Sequence, residues 1–147
     1  MSDFLAAAVQ LTSTSNVEAN FSLAEEQIEL ASRRGAELIG LPENFAFIGD
    51  DQERLKISSS LAEKCSQFLI TMARRYQVVL LGGGFPVPAG GGMRTLNRAE
   101  LVGRNGQLLG RYDKIHLFDV DLPDGNKYRE SETIVSGNKL PSVINIP

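Results

Sequence analysis

Glu43 stands in the stretch Leu38–Phe47, "LIGLPENFAF", with apolar residues on both sides and Pro42 just before it. A carboxylate in such surroundings is costly unless it is paired or put to use. Held in a cleft, it can act as a general base; on a surface loop, it can form an ion pair. Lys114, in "GRYDKIHLFD", is the second candidate. If Leu108 to Lys114 is a strand, Leu108, Gly110, Tyr112 and Lys114 share one side and Arg111 and Asp113 the other. A lysine on the less polar side is either a working cation or a long stem snorkelling past a strand end. Position alone leaves both candidates open to either reading.

Other reactive side chains fit chemistry less well. Cys65 falls on the apolar stripe of a helix with Leu61, Phe68 and Leu69, the setting of a structural thiol rather than a nucleophile. His116 precedes "LFD", but the spacing supports neither a Cys-His nor a Ser-His-Asp arrangement. "GGGFP" and "GGGMR" lack the offsets of a phosphate-binding loop. One cysteine and one histidine cannot form a Cys/His zinc site, though carboxylates could hold a hard cation.

The elements that must carry these residues follow from periodicity. "FLAAAVQLT" (Phe4–Thr12) reads as a buried strand. Ser15 and Glu18 form a capping-box pattern, and Val17, Phe21, Ala24, Ile28 and Ala31 make one apolar helical face. Arg33 and Arg34 suit the helix end and Gly35 the position beyond it. "AELIGL" reads as a second buried strand, parallel to the first because a helix connects them. A polar segment follows, then a helix from about Ser59 to Tyr76. "VVLLGGGF" (Val78–Phe85) is a third strand ending in glycines, where a ligand or another backbone could approach closely.

This β-α-β-α-β order is the mark of an α/β fold, in which ligands bind beyond the carboxyl ends of the strands. Glu43 is at such an end. "PVPAGGGMR" reads as a loop. "TLNRAELV" and "QLLGRYDKI" flank Asn105-Gly106, a hairpin signal, so the sheet turns antiparallel there. "DLPDGNKYRESETIVSGNKLP" reads as a long loop, and "SVINIP" as the start of another strand.

With 147 residues the chain fits one domain. A net charge of −3, with basic residues scattered singly or in pairs, argues against nucleic acid or an anionic membrane as a partner. "MSDFLAAAVQLT" is too short, and lacks the basic leader, for a signal peptide. No apolar run approaches the ~20 residues of a membrane span. The expectation is a soluble, cytoplasmic protein.

"VQLTSTSNVEANFSLAEEQIELASRRGAELIGLPENF", "LLGGGF" and "GRYDKIHLFDVDLPDGNKYRES" together resemble the nitrilase superfamily of carbon–nitrogen hydrolases, over essentially the whole chain. "FAFIGDD", "LGGGF" and "DVDLPDGNKYRES" most resemble its Nit branch, of deaminated-glutathione amidases and omega-amidases. The resemblance implies a nitrilase-type α-β-β-α sandwich, with residues 1–147 as the N-terminal part of a single carbon–nitrogen hydrolase domain. It implies a Glu-Lys-Cys triad hydrolysing the amide of a small acid, without metal or organic cofactor. Glu43 of "LPENF" would be the general base and Lys114 of "YDKIHLFD" the oxyanion partner. Glu130 of "YRES" would orient the catalytic groups.

The family's nucleophilic cysteine follows a strand beyond the lysine segment, past Pro147, and Cys65 does not match it. These 147 residues alone are therefore expected to be inactive. The alternatives are a catalytically silent module that binds or assembles, and a nitrilase or carbamoylase with the same triad. The resemblance also implies a homodimer or larger assembly.

Overall fold

A computed structural model describes residues 4–146. Three short or medium strands alternate with two helices: β1 (Ala6–Ala8), α1 (Val17–Arg33), β2 (Leu38–Gly40), α2 (Asp51–Tyr76) and β3 (Val79–Pro88). An antiparallel pair follows, β4 (Thr95–Val102) and β5 (Leu108–Asp113), turning through Asn105-Gly106 with Gly106 at φ +80°. The five strands form one sheet in the order β1-β2-β3-β4-β5, parallel through β3 and antiparallel beyond it. The mixed α/β class and the switch to antiparallel pairing are as the sequence predicts.

Strand order explains where the core lies. Both crossovers step in the same direction along the sheet, so right-handed connections put both helices on one face. There Phe21 of α1 stacks on Phe68 of α2 with ring centroids 4.6 Å apart, and Phe45 meets Phe85 edge-on at 6.2 Å. Ile28, Ile39, Leu61, Leu69 and Leu80 are fully buried in the same cluster. The opposite face carries Leu38, Leu81, Leu101 and Tyr112, which line a groove together with Ile144 and Ile146. The described residues thus form one helical layer and one sheet of the expected sandwich.

Several boundaries differ from expectation. The α1 cap is Asn16, whose side chain accepts from the Ala19 N–H at 3.1 Å, not Ser15. Glu18 reaches instead to Lys64 on α2 at 2.8 Å. Helix α2 begins at Asp51 rather than near Ser59, because Asp50 accepts from the N–H groups of Gln52 and Glu53. Its first turns are mostly exposed, which is why their polar sequence reads as a linker; a good cap is enough to start them. Strand β3 runs through its glycines to Pro88, with an irregularity between Gly82 and Phe85.

A small hairpin, β6 (Asp119–Asp121) and β7 (Lys127–Arg129), leads into the expected long loop and takes up its first part, followed by a 3-10 turn over Glu130–Glu132. Its turn is Asp124-Gly125, with Gly125 at φ +90°. Residues 141–146 form no strand. They cross the face of β5, where Ile144 lies over Gly110, and so meet no free ladder. The expectation of a strand at "SVINIP" is corrected accordingly.

Replacing Asp50 by Ala should lower the unfolding free energy by about 1 kcal/mol. Ser59→Ala, inside the helix and exposed, should not lower it. Urea denaturation of the two variants in the complete protein checks the helix start; a loss only in Ser59→Ala would restore the later boundary.

Candidate active site

The loop after β2 is fixed before it reaches Glu43. Leu41 N–H donates to Leu81 O at 2.9 Å, and Asn44 N–H to Gly84 O at 2.7 Å. Asn44 takes the left-handed conformation, φ 59°, which turns the chain back into the core at Phe45. Buried Asn20 of α1 donates to Thr14 O and Ala46 O and accepts from Thr14 N–H. Ser13 Oγ donates to Phe45 O at 3.1 Å. The loop crosses β3 so closely that a Cβ at Gly83 would overlap Leu41 O and the Pro42 carbonyl. Of the glycines that end the expected third strand, Gly83 is met by another backbone, Gly82 by the Leu69 side chain and Gly84 by that of Asn97.

Lys114 lies one residue past β5. Its N–H donates to Asn97 O at 2.9 Å, and its carbonyl accepts from Gly137 N–H at 2.8 Å. Arg111 and Asp113 face the other way, paired with Glu100 and Arg98. The alternation expected for Tyr112 and Lys114 therefore holds. It fails at Leu108, because the register shifts between Leu101 and Val102.

These placements bring Glu43, Lys114 and Glu130 together. Lys114 Nζ donates to Glu43 Oε1 at 3.0 Å and to Glu130 Oε1 at 3.0 Å. Glu130 Oε2 also accepts from Phe118 N–H at 2.6 Å, which anchors the hairpin strand to the lysine. The side chains of Glu43, Lys114 and Glu130 are 49%, 26% and 17% exposed. Apolar burial of Glu43 by Leu41, Phe45 and Phe47 is not what forms: those side chains turn into the core, and the carboxylate turns out to a cleft.

That cleft has a volume of about 370 Å³ and includes Arg54, Phe118 and Tyr128 in its wall. Arg54 is held by Thr133 Oγ1 and Asp51, each at 2.7 Å. Partial burial by itself pulls the Lys114 ammonium down. Hydrogen bonds to Glu130 and Glu43, and their charges, outweigh it and hold the group above its ordinary value. A cation set between two carboxylates is suited to hand its donors to a developing oxyanion.

The remaining candidates stay apart from this cluster. Cys65 is buried on α2, where desolvation and the charge of Glu100 push its thiol up, away from the thiolate form. His116 is exposed on the loop beyond Lys114. Among the described residues no group of three His, Cys, Asp or Glu side chains is arranged to hold a metal ion, and no helix is long and apolar enough to cross a membrane. Sequence reasoning missed Asn97, buried on β4, whose Nδ2 donates to Glu43 Oε1 at 2.5 Å. Its signal was a polar residue sharing strand parity with Thr95, Ala99 and Leu101.

In backbone geometry this is a nitrilase-type α/β fold. It superposes on the NitFhit protein of C. elegans with a TM-score of 0.85 at 27% identity, covering 95% of this chain and 34% of that one. The chain belongs to the carbon–nitrogen hydrolase family, whose sequence model matches residues 5–147. It is 53% identical to a deaminated glutathione amidase of Synechocystis sp. over 144 residues, 97% of this chain and 53% of that relative. A cysteine-to-alanine variant of an amidase from Nesterenkonia sp., solved with butyramide, matches at a TM-score of 0.78 and 26% identity, over 94% of this chain and 50% of that one. The chain thus spans about half the length of the curated relative.

Because the folded Lys114 titrates above its unfolded value, its stabilisation is complete below about pH 10.4 and is lost as pH rises through the folded value. Lys114→Met should lower the unfolding free energy by about 1–3 kcal/mol near neutrality. The deficit should shrink above about pH 10.4. Urea titrations across that range in the complete protein check the sign; a deficit that grows with pH would contradict it.

Proposed function

We propose that the complete protein is an amidase that hydrolyses the terminal amide of a small acid, of the deaminated glutathione or omega-amide type. In this reading residues 1–147 are the N-terminal part of one carbon–nitrogen hydrolase domain. The observation that carries it is the ammonium of Lys114 within hydrogen-bond distance of both Glu43 and Glu130, in a chain 53% identical to a deaminated glutathione amidase.

Glu43 acts as general base and takes the proton of a cysteine thiol supplied from beyond Pro147. The sulfur attacks the amide carbon, and the carbonyl electron pair moves to oxygen. Lys114 donates a hydrogen bond to that oxyanion, and Glu130, fixed by the Phe118 N–H, keeps the ammonium in place. The amide nitrogen takes up the proton held by Glu43, and collapse of the tetrahedral intermediate breaks the C–N bond, releasing ammonia and leaving a thioester. Glu43 then removes a proton from water, the hydroxide adds to the thioester, and the acid leaves as the C–S bond breaks and the Glu43 proton returns to sulfur. A homodimer or larger assembly belongs to the same proposal, with the native mass of the complete protein as its measure.

Glu43→Gln keeps the size of the side chain and removes its basicity. In the complete protein it should lower kcat/KM by roughly 10²–10⁴, with the thermal unfolding midpoint little changed. The substrates are deaminated glutathione, succinamate, butyramide, an N-carbamoyl amino acid and a nitrile. Wild-type turnover in Glu43→Gln would remove the base from the scheme. A folded wild type that turns over none of the panel would favour a silent binding module. Turnover confined to the nitrile or the carbamoyl compound would move the protein to those branches.

A further inference from the structure

We propose that Asn97 is the positioning residue for Glu43, holding Oε1 so that Oε2 is the oxygen that accepts the proton; this rests on reading Glu43 as the base. Asn97 is buried, 5% exposed, on β4. Its Nδ2 donates to Glu43 Oε1 at 2.5 Å, and Lys114 Nζ donates to the same oxygen at 3.0 Å. Both donors converge on Oε1. A carboxylate held through one oxygen presents the other to a proton donor.

The amide orientation is fixed by exclusion. The opposite flip would set Asn97 Oδ1 against Glu43 Oε1, two acceptors with no proton between them. In the orientation observed, Asn97 Oδ1 is buried and has no hydrogen-bond partner among the described residues. An orphaned buried acceptor costs free energy, so stability alone does not favour an asparagine here. Space is reserved for it nonetheless: a Cβ on Gly84 would overlap Asn97 Oδ1. The same Gly84 carbonyl accepts from Asn44 N–H at 2.7 Å, so one residue of β3 locates both the loop that carries Glu43 and the amide that grips it.

The second donor has a purpose that Lys114 cannot fill. Lys114 must turn its protons to the substrate oxygen as charge develops there. Glu43 is half-exposed, and with the lysine engaged elsewhere it would be free to change rotamer. Asn97, locked in the sheet, does not leave. It acts through Glu43 and does not itself touch substrate.

The test uses the complete protein and the panel amide that turns over fastest, with Glu43→Gln run alongside. Asn97→Leu should lower kcat by about 10²-fold, with KM within about threefold of wild type and a melting temperature equal to or above it. Asn97→Asp, of the same shape, should show the same kcat loss. Gly84→Ala should lower kcat by displacing Asn97, and the Gly84→Ala/Asn97→Leu double variant should be no slower than the slower single. Multiplying losses, or a kcat loss that tracks a fall in melting temperature, would overturn the inference. If Glu43→Gln is inactive while Asn97→Leu and Asn97→Asp match wild type, the inference alone fails. If Glu43→Gln stays active, the reading of the base fails with it.

Discussion

One ammonium between two carboxylates sets the terms for this end of the molecule. Glu43 and Glu130 come from segments far apart in sequence, and both reach Lys114 Nζ at about 3 Å. Without the cation, two carboxylates would converge on one small space and repel. With it, each gains a charge-assisted hydrogen bond. Lys114 also gains: its partial burial is offset by both partners, and the ammonium is held charged. The three groups are therefore interdependent, and the loop after β2, the end of β5 and the turn after β7 are located against one another through them.

The rest of the fold delivers these ends to one place. Parallel pairing of β1, β2 and β3 puts the β2–α2 loop at the carboxyl edge of the sheet. Gly83 lets that loop cross β3 at backbone distance, and Asn20 ties it to the start of α1. The hairpin from β4 to β5 returns Lys114 to the same edge, its N–H on Asn97 O. Phe45 and Phe47 then anchor the loop in the core, each almost wholly buried. Hydrophobic burial on one side of Glu43 thus holds the loop still while the carboxylate itself faces the cleft.

Much of this was legible in the sequence, for physical reasons. Short apolar runs and helical apolar periods gave the α/β order, and Asn105-Gly106 gave the hairpin, because those signals are local. Strand alternation gave Tyr112 and Lys114 a common side. The start of α2 was not legible: its cap is strong, but its first turns bury little, so no apolar stripe announces them. The β6–β7 hairpin is short and polar, and only its Asp-Gly turn marks it. Glu130 has no periodic signature and entered through resemblance alone. Asn97 depended on register between β3 and β4, including the shift at Gly82 and Phe85, which no single-strand pattern contains. The apolar residues that flank Glu43 in sequence do not bury it, because they turn away from it into the core.

Two carboxylate–cation clusters on this sheet differ in what each leaves unpaired. On the helix side, Glu100 is 3% exposed and fully engaged: Arg111 Nε donates to one oxygen and Ser66 Oγ to the other, each at 2.8 Å. A buried carboxylate matched by a cation and a hydroxyl has no oxygen to spare, and removing any partner would leave a stranded charge. On the open side, two carboxylates share one ammonium and line a cleft. Within that trio the carboxylates outnumber the ammonium, and both donors to Glu43 use the same oxygen. Spare basicity next to a cation is what proton abstraction followed by oxyanion stabilisation requires. Cys65 completes the contrast. It is the chain's single thiol, yet it lies in the core, where burial and the charge of Glu100 oppose the thiolate. A thiol that served Glu43 would need the opposite setting: the cleft, beside Lys114, where a cation favours the ionised sulfur.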